Sequence, residues 1–559
     1  MDNLRIFLWV GLGLMLWLSY DAWQRQFPPE PQTVQAQAPA DTETPVPGLP
    51  GTLPEVPDLP ETAAAGAAST GTVPGLPAAE PELSEQNAIT VRTDVLELSI
   101  SLLGGEVISA KLLDYPLKKD QPDVSVSLLS ANPADFYVVR SGLRAGGDKP
   151  EANHQALFTA EAPQFTLGAG QQELVVPLTW VGDGGVRVQK NFRFRSGQYA
   201  IELEQIVFND GEEPYQAVGY LQIQRVHRPP ERSMFDVDSY SFVGPVLYDG
   251  ESYQKLEADD LAKEPVSLQV DSGWIASIQH HFLAAAVPST GEVANYTATY
   301  DGKSTFVSVV DSAFTTVQPG QSESFDSTLF IGPKLQSQMA EVSDTLTLTV
   351  DYGLLTILAQ PLFWLLQKIF SFVGNWGWTI IIVTFLIKLV FYKLTEKSGR
   401  SMAKMRKLAP RLKTIQERYK DDREQLSRAM MDLYKREKVN PAAGCWPMLI
   451  QIPFFIAFYW VLLESVEMRQ APFMLWITDL SVRDPFFILP LLMGAAMYFQ
   501  QKLNPPPPDP MQAKVMQFLP IMFTGMFAFF PAGLVLYWLT NSVLSMAQQW
   551  RINKVIGAD

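Results

Sequence analysis

The stretch Trp376–Lys393, WGWTIIIVTFLIKLVFYK, constrains the rest of the chain most strongly. It is apolar and long enough to cross a bilayer, which takes about 17 residues or more. Lys388 is the one charge inside its apolar run. A lysine in hydrocarbon costs roughly 2.5–3.5 kcal/mol, so such a residue usually faces water, a partner or a transport path. The alternative is that Lys388 extends its long side chain to the membrane surface.

Basic residues are concentrated in a single segment of an otherwise acidic chain. From Lys393 to Lys438 the sequence contains 15 lysines and arginines against 7 acidic residues, whereas the whole chain carries a net charge of −16. Lysine and arginine accumulate on the cytoplasmic side of membrane proteins. We therefore expect this segment to lie in the cytoplasm, where it meets the membrane surface or a negatively charged partner.

The cysteine and histidine content excludes several kinds of chemistry. Cys445 is the only cysteine, so no disulfide can form within the chain. All four histidines precede Trp376, so the apolar C-terminal part has no histidine to act as a general base or a metal ligand. We predict no cofactor, no metal site and no enzymatic activity.

The first half of the chain changes composition twice. The apolar stretch Leu4–Tyr20 has no small-residue cleavage site promptly after it, so residues 1–22 are predicted to form a retained membrane anchor. Residues 23–87 are rich in Pro and Ala, which predicts a disordered linker. From residue 88 to about 335, apolar and polar residues alternate between recurring turn sequences. This pattern predicts a large all-β sandwich domain outside the cytoplasm.

The second half contains further apolar stretches. Residues 351–373 carry interrupting polar residues and leave no room for a loop before Trp376, so we predict an interfacial amphipathic helix, with a membrane crossing as the alternative. Residues 374–553 are predicted to hold five spans: Trp376–Lys393, Trp446–Leu463, Phe486–Gln501, Val515–Phe530 and Leu534–Gln548. The anchor makes six, and residues 554–559 form a short tail.

The basic segment lies between the first two of these five spans. Apolar residues at three- and four-residue steps, such as Leu408, Leu412 and Ile415, predict two short helices that fold as an antiparallel hairpin over residues 395–440. With this hairpin in the cytoplasm, both termini are cytoplasmic and the β domain lies outside. The predicted fold class is a multi-domain membrane protein with six transmembrane α-helices, an all-β sandwich domain and a helical hairpin.

Polar side chains are sparse within the five C-terminal spans. Thr384 and Lys388 are one helical turn apart and share a face, and amides occur at Gln451, Gln500 and Asn541. No aspartate or glutamate lies within the predicted spans to neutralise Lys388. The simplest arrangement is a wet groove that holds the cation, although the amides could serve only to hydrogen-bond neighbouring helices.

The C-terminal 200 or so residues resemble the YidC/Oxa/Alb family of membrane protein insertases, in its Gram-negative bacterial type. The resemblance rests on several phrases in the right order: VDYGLL, FVGNWGW, SMAKM, EKVNPAAGCWPMLIQIPFF, VEMRQAPFMLWITDLSVRDP, DPMQAKVMQFLPIMF and FPAGLVLYW. The anchor, linker and β domain match the architecture of the family. Residues 374–553 would then be its five-helix insertase core.

The resemblance implies a hydrophilic groove open to the cytoplasm and to lipid, with a positive residue at Lys388. That residue is usually arginine in the family, and lysine keeps the charge but lacks the planar guanidinium group. The implied groove residues are Lys388, Thr384, Gln451, Gln500, Trp538, Tyr537 and Asn541.

The resemblance also implies partners in the inner membrane. These are nascent integral membrane proteins, the Sec translocon, the ribosome and membrane lipids, without nucleic-acid specificity. The residues expected to contact the ribosome or another partner lie on the first hairpin helix: Lys404, Arg406, Lys407, Arg411 and Lys413.

The leading hypothesis is therefore a membrane protein insertase and chaperone whose Lys388 attracts acidic substrate tails. A scaffold that assembles membrane complexes through its periplasmic domain is the alternative, and deletion of residues 88–333 distinguishes the two, because an insertase centred on Lys388 should largely survive it. A secondary transporter is disfavoured because the sequence shows neither internal repeats nor a midplane coupling site.

Overall fold

A computed structural model describes residues 87–228, 241–289, 293–419, 422–437, 446–503 and 510–556. The predicted anchor and all but the last residue of the predicted linker lie outside these ranges. Within them, residues up to 409 and from 446 onward form one compact unit, and residues from 410 to 437 belong to another.

Residues 88 to 333 form the β domain. Its described strands are β1 (Ala88–Arg92), β2 (Leu96–Ser101), β3 (Val107–Lys118), β4 (Gln121–Leu129), β5 (Tyr137–Ala145), β6 (Thr159–Ala160), β7 (Gln164–Thr166), β8 (Glu173–Val181), β9 (Val186–Arg195), β10 (Ala200–Asn209), β11 (Tyr215–Val226), β12 (Gly244–Tyr248), β13 (Tyr253–Lys255), β14 (Val266–Val270), β15 (Trp274–Gln279), β16 (Phe282–Pro288), β17 (Ala294–Tyr300), β18 (Ser304–Asp311), β19 (Thr315–Val317) and β20 (Ser322–Pro333).

The strands form two large sheets in a sandwich-like arrangement, as the alternating pattern predicts. One sheet has the order β14-β17-β18-β11-β5-β3-β2-β1-β7, with β4 paired to β3 and β19 paired to β11. The other has the order β13-β12-β15-β16-β20-β10-β9-β8-β6. Neighbouring strands are antiparallel except β1 and β7, which are parallel. In β9 and β10 every second residue is buried, which is why these sequences alternate.

Polar side chains connect the two sheets through the core. The Tyr137 hydroxyl on β5 donates to the Ser277 carbonyl on β15 over 2.6 Å. The Lys190 ammonium on β9 is fully buried and donates to Gly104 O at 2.8 Å and to Ser141 O at 2.9 Å. Burial lowers the pKa of Lys190 to about 7. The hydrogen bonds satisfy a polar group that would otherwise be costly to bury.

The C-terminal half is helical. Numbered in chain order after α1 (Ala258–Leu261) in the β domain, its described helices are α2 (Gln336–Val342), α3 (Thr356–Val373), α4 (Trp376–Val390), α5 (Tyr392–Arg418), α6 (Arg423–Arg436), α7 (Trp446–Glu464), α8 (Ile488–Lys502), α9 (Pro510–Phe527) and α10 (Ala532–Ile556).

The sequence suggests one straight helix for the stretch that contains Lys388. The structure shows two helices with a bend between them. Helix α4 ends at Val390, and the axis bends by 63° between α4 and the start of α5. At 15 residues, α4 is about 22 Å long, which is shorter than a hydrocarbon core of about 30 Å. Lys388 therefore lies in the last turn of its helix rather than within a longer span.

The described residues contain fewer helices of membrane-crossing length than the sequence predicts. By length and composition, Thr356–Val373 could cross a membrane. The helices Trp376–Val390 and Tyr392–Ser401 would add a second span if this bent pair crosses the membrane as a single broken helix. Ile450–Glu464 and Met516–Phe527 are shorter apolar helices. Thr356–Val373 lies in the stretch that the sequence predicts to lie flat at the membrane surface. Among the described residues, it is the one unbroken helix that is long and apolar enough to cross a membrane.

Two helices, α5 and α6, lie in the segment that the sequence predicts to form the hairpin, and the first of them is not short. Helix α5 starts at Tyr392, three residues before the predicted start of the hairpin at residue 395, and has 27 residues. Asp422 precedes α6 and caps it by accepting from the backbone N–H groups of Glu424 and Gln425. An ion pair of 2.7 Å joins Arg411 near the end of α5 to Glu437 after α6.

Candidate groove around Lys388

The start of α4 is fixed by its capping residue. The Asn375 side chain accepts a hydrogen bond from Trp378 N at 3.1 Å, as N-cap residues do. Its amide nitrogen donates to the Phe473 carbonyl at 3.0 Å. Gly377 packs against the ring of the same phenylalanine, and a Cβ at this position would overlap that ring. These contacts attach the start of α4 to the loop between α7 and α8.

The Lys388 ammonium is held by side chains of two other helices. Its Nζ donates to Ser545 Oγ on α10 at 2.7 Å and to Gln451 Oε1 on α7 at 3.5 Å. The Ser545 hydroxyl in turn donates to Asn541 O at 2.7 Å, so its lone pairs are available to the ammonium. Lys388 is only 8% exposed. The side chain therefore points into the helix bundle, which contradicts the alternative that it reaches for the membrane surface.

Neutral oxygens, rather than a carboxylate, surround the cation. Among the described residues, Lys388 hydrogen-bonds to a serine and a glutamine and forms no ion pair with an aspartate or glutamate. The end of α4 adds a partial negative charge, because the last carbonyl groups of a helix lack intrahelical partners. An ammonium group has three N–H donors, and described residues accept from two. The charge is partly stabilised but not neutralised.

The remaining predicted groove residues differ in what they contact. Thr384 is buried, and its hydroxyl donates to Ile380 O at 2.6 Å within its own helix. Asn541 contributes its backbone carbonyl to the Ser545 hydroxyl rather than its side chain to Lys388. Gln500 is half-buried near the end of α8. The structure thus brings Lys388, Gln451 and Asn541 together, and it gives Thr384 a local hydrogen bond.

Aromatic rings line the same helices. The Trp538 ring is half-buried, and its centroid lies 4.6 Å from that of Phe455 and 5.3 Å from that of Phe527. Tyr537 is 5% exposed and stacks on Phe458 at 4.5 Å. Of the two predicted aromatic residues, Trp538 is the more accessible, whereas Tyr537 contributes to the packing between α7 and α10.

Ser545 is the contact that sequence reasoning missed. It makes the shortest hydrogen bond to Lys388, yet a serine in a transmembrane helix is common and carries little signal on its own. The available signal was its spacing, since Ser545 lies four residues after Asn541 and therefore on the same face of the helix.

The predicted partner-binding residues lie on α5. Lys404, Lys407 and Lys413 are exposed. Arg411 is also exposed but pairs with Glu437. The side chain of Arg406 lies outside the described part of the chain. Four of the five residues thus have exposed side chains.

Comparison with known proteins gives matches along almost the whole chain. Residues 88–365 match the family model of the YidC periplasmic domain, and residues 368–558 match that of the 60Kd inner membrane protein. The chain is 45% identical to the membrane protein insertase YidC of Thioalkalivibrio sulfidiphilus over 565 residues, which cover 100% of this chain and 99% of the relative. It is 44% identical to that of Nitrosococcus oceani over 560 residues, with the same coverage.

A crystal structure of an active YidC insertase with its first transmembrane domain resolved matches with a TM-score of 0.37 at 18% identity, covering 82% of this chain and 92% of that one. The assignment of the family rests on the sequence matches. The chain belongs to the YidC family of membrane protein insertases.

Proposed function

We propose that this chain inserts membrane proteins into the inner membrane by means of the positive charge at Lys388. The observation that carries the proposal is the arrangement of the ammonium group, which is buried among helices and which, within the described part of the chain, is held by the neutral oxygens of Ser545 and Gln451 alone. A buried charge without a counter-ion is costly, so an approaching carboxylate is attracted strongly. An acidic residue in the tail of a substrate is the partner that this arrangement fits.

The driving force for insertion comes from the substrate. Each buried CH2 group contributes about 0.8 kcal/mol, so a transmembrane segment of the substrate supplies enough free energy without nucleotide hydrolysis. The role of Lys388 is to lower the cost of bringing the polar tail part of the way into the membrane. No covalent step is needed.

The proposal includes a topology for the whole chain. The β domain is periplasmic, α5 and α6 form a cytoplasmic hairpin, and both termini are cytoplasmic, with six spans in all. Helix α3 lies at the periplasmic surface, with Leu362, Phe363 and Leu366 packed inward, whereas Ile357 and Phe372 are 84% and 89% exposed and meet lipid. The exposed lysines of α5 offer a contact for the ribosome, and the Sec translocon is a further proposed partner.

Site-specific photocrosslinking tests the proposed function. A photoreactive amino acid at Trp538, which is half-buried, should crosslink to a stalled nascent membrane protein, whereas one at Tyr537, which is buried, should crosslink weakly. Thr384, one helical turn before Lys388, is buried like Tyr537, so a photoreactive amino acid there should also crosslink weakly. If crosslinks to the nascent chain came only from the β domain, the alternative of an assembly scaffold would be favoured.

Ser545→Ala should impair insertion in a manner that depends on substrate charge. The change leaves Lys388 with the longer contact to Gln451, and a hydrogen bond to a charged group is worth about 1.5–3 kcal/mol. We expect the insertion rate of a substrate with an acidic tail to fall several-fold, whereas a neutral-tailed substrate should be little affected. Ser545→Thr should retain the rate, because it keeps the hydroxyl.

Ser542→Ala is the matched control for this prediction. Ser542 is buried on the same helix, but no hydrogen bond joins it to Lys388. An equal loss with acidic and neutral tails in Ser545→Ala would mean that the serine serves only helix packing.

A further inference from the structure

One face of helix α10 contacts both sides of the bend between α4 and α5. Ser545, Gln548 and Ile552 are spaced three and four residues apart, so they share this face. The Lys388 ammonium, in the last turn of α4, donates to Ser545 Oγ at 2.7 Å. One turn further along α10, the Gln548 side-chain amide donates to the backbone carbonyl of Tyr392, the first residue of α5, at 3.3 Å. The same helix therefore holds the groove cation and the start of the next helix.

The contact between α10 and α5 continues for two turns beyond the bend. Ile552 is buried and lies against Gly399, where an added Cβ would come within 2.9 Å of the Ile552 Cδ1 atom. The side chain of Ser398 is buried as well. Because glycine has no side chain, it lets the two helices approach closely at this point. The first two turns of α5 thus pack against the end of α10.

Helix α7 also contacts both Lys388 and the bend. Gln451 Oε1 lies 3.5 Å from Lys388 Nζ. Three residues further along α7, the Phe454 ring packs edge-to-face against the ring of Phe391, at a centroid distance of 5.1 Å. Phe391 is the residue between α4 and α5. Two helices, each through a pair of residues three positions apart, therefore contact the cation and the bend together.

The bend itself needs support from outside the helix. Sharp bends usually occur at proline, at glycine, or where a side chain interacts with the backbone of the helix. Residues 386–395 contain neither proline nor glycine, yet the axis turns by 63°. Gln548 is 9% exposed and reaches the backbone at the bend from another helix. A buried amide without a partner is costly, so its hydrogen bond to Tyr392 O favours the bent arrangement in which the two groups meet.

We propose that Gln548 is a positioning residue for insertion: it holds Tyr392, and so fixes the bend that keeps the Lys388 ammonium at Ser545. Lys388 and Tyr392 are four residues apart, about one helical turn, so a shift at the start of α5 is passed directly to the cation. Gln548 acts on the acidic tail of a substrate only through Lys388. The inference rests on the insertion function proposed for Lys388.

Insertion by Gln548→Met tests the proposal with substrates that differ only in the charge of the tail. Methionine is as long and unbranched as glutamine, but it has no N–H donor. The net contribution of one hydrogen bond corresponds to a factor of about two to ten in an equilibrium. We therefore expect Gln548→Met to insert an acidic-tailed substrate about two to ten times more slowly than the parent chain does, and a neutral-tailed substrate at the parent rate.

Gln549→Met serves as the control. Gln549 is the neighbouring glutamine on α10, and its side chain donates to Asn553 of the same helix at 3.0 Å rather than to the backbone of α5. This variant should insert both substrates at the parent rate. An equal loss with acidic and neutral tails in Gln548→Met would assign Gln548 a purely structural role and would overturn the proposal. Parent rates with both tails would overturn it too.

Lys388→Ala in the same assay separates this inference from the function on which it rests. If Lys388→Ala inserted the acidic-tailed substrate at the parent rate, the proposed function of Lys388 would fail. A loss in Lys388→Ala without a loss in Gln548→Met would refute only the positioning role of Gln548.

Distances between spin labels show whether the bend depends on Gln548. The labels are placed on the full chain in lipid nanodiscs at two exposed positions that flank the bend, Phe385 on α4 and Lys404 on α5, after the single cysteine has been changed by Cys445→Ser. A straight helix would separate these positions by about 28 Å, and the bend shortens this distance. We expect a narrow distribution in the parent chain and in Gln549→Met, and a broader one that extends to longer distances in Gln548→Met. An unchanged distribution in Gln548→Met would contradict the proposal.

Discussion

Insertion of a substrate with an acidic tail is expected to be almost abolished by Lys388→Ala. A unit charge 4 Å from a carboxylate contributes up to about 4 kcal/mol at an effective dielectric constant of 20. Loss of even a third of this interaction energy would slow insertion about tenfold, since each 1.4 kcal/mol added to the barrier lowers the rate by a factor of about ten. The measurement is the protease protection of a Sec-independent membrane protein in proteoliposomes that contain the variant.

Lys388→Arg is the matched control. Arginine keeps the charge and can reach the same two oxygens, although its planar group arranges its donors differently, so we expect most of the activity to remain. If Lys388→Ala and Lys388→Glu both inserted the substrate at the normal rate, the charge in the groove would have no role in the reaction.

Gly377→Ala is expected to destabilise the helical part of the chain. A methyl group at this position would overlap the Phe473 ring, and one of its close contacts is the Cβ of Phe473 at 2.8 Å, which a rotation of the ring does not move. Overpacking of this kind costs typically about 1–3 kcal/mol. Each kcal/mol lost from the free energy of unfolding lowers the midpoint of thermal unfolding by roughly 2–4 °C for a domain of 150–250 residues. Thermal unfolding in detergent measures the change.

Gly525→Ala provides a control of the same chemistry. Gly525 lies in α9, and an added Cβ would have no heavy atom within 4 Å. Alanine is the better helix former by about 1 kcal/mol, so this variant should be as stable as the parent chain or more stable. Equal midpoints for both variants would show that the contact between α4 and the loop is looser than the structure indicates.

The β domain could be predicted from the sequence because its signal is local. Alternation over neighbouring residues marks the strands β2 and β9, and Gly104 and Gly184, both with positive φ, mark turns where a chain reversal needs glycine. The order of the strands could not be predicted. Strand β20 pairs with both β10 and β16, and such pairings depend on contacts between distant parts of the chain.

The bend after α4 had no recognisable signal. The residues around Phe391 include neither proline nor glycine, and the apolar run continues through the bend. The contact between Arg469 and the Pro116 carbonyl was equally hidden, because the two residues are 353 residues apart in the sequence and the acceptor belongs to the backbone. Any residue offers that acceptor, so no residue type marks the position.

The identity of the central cation could be inferred, but not its environment. An isolated lysine in an apolar run is rare, which is why the sequence singles out Lys388. The hydrogen bond that Lys388 donates to Ser545 depends on how α10 packs against α4, and this packing has no counterpart in the composition of either helix. Sequence analysis therefore identified the charge, and the structure identified what holds it in place.

A charge-reversal experiment tests the role of Lys388 most directly. Insertion rates are measured for the parent chain and for Lys388→Glu, each with a substrate whose tail carries either acidic or basic residues and whose transmembrane segment is unchanged. We predict that Lys388→Glu fails with the acidic tail and recovers with the basic one, because the attraction is restored with opposite signs. Equal losses with both tails would contradict an electrostatic role of Lys388.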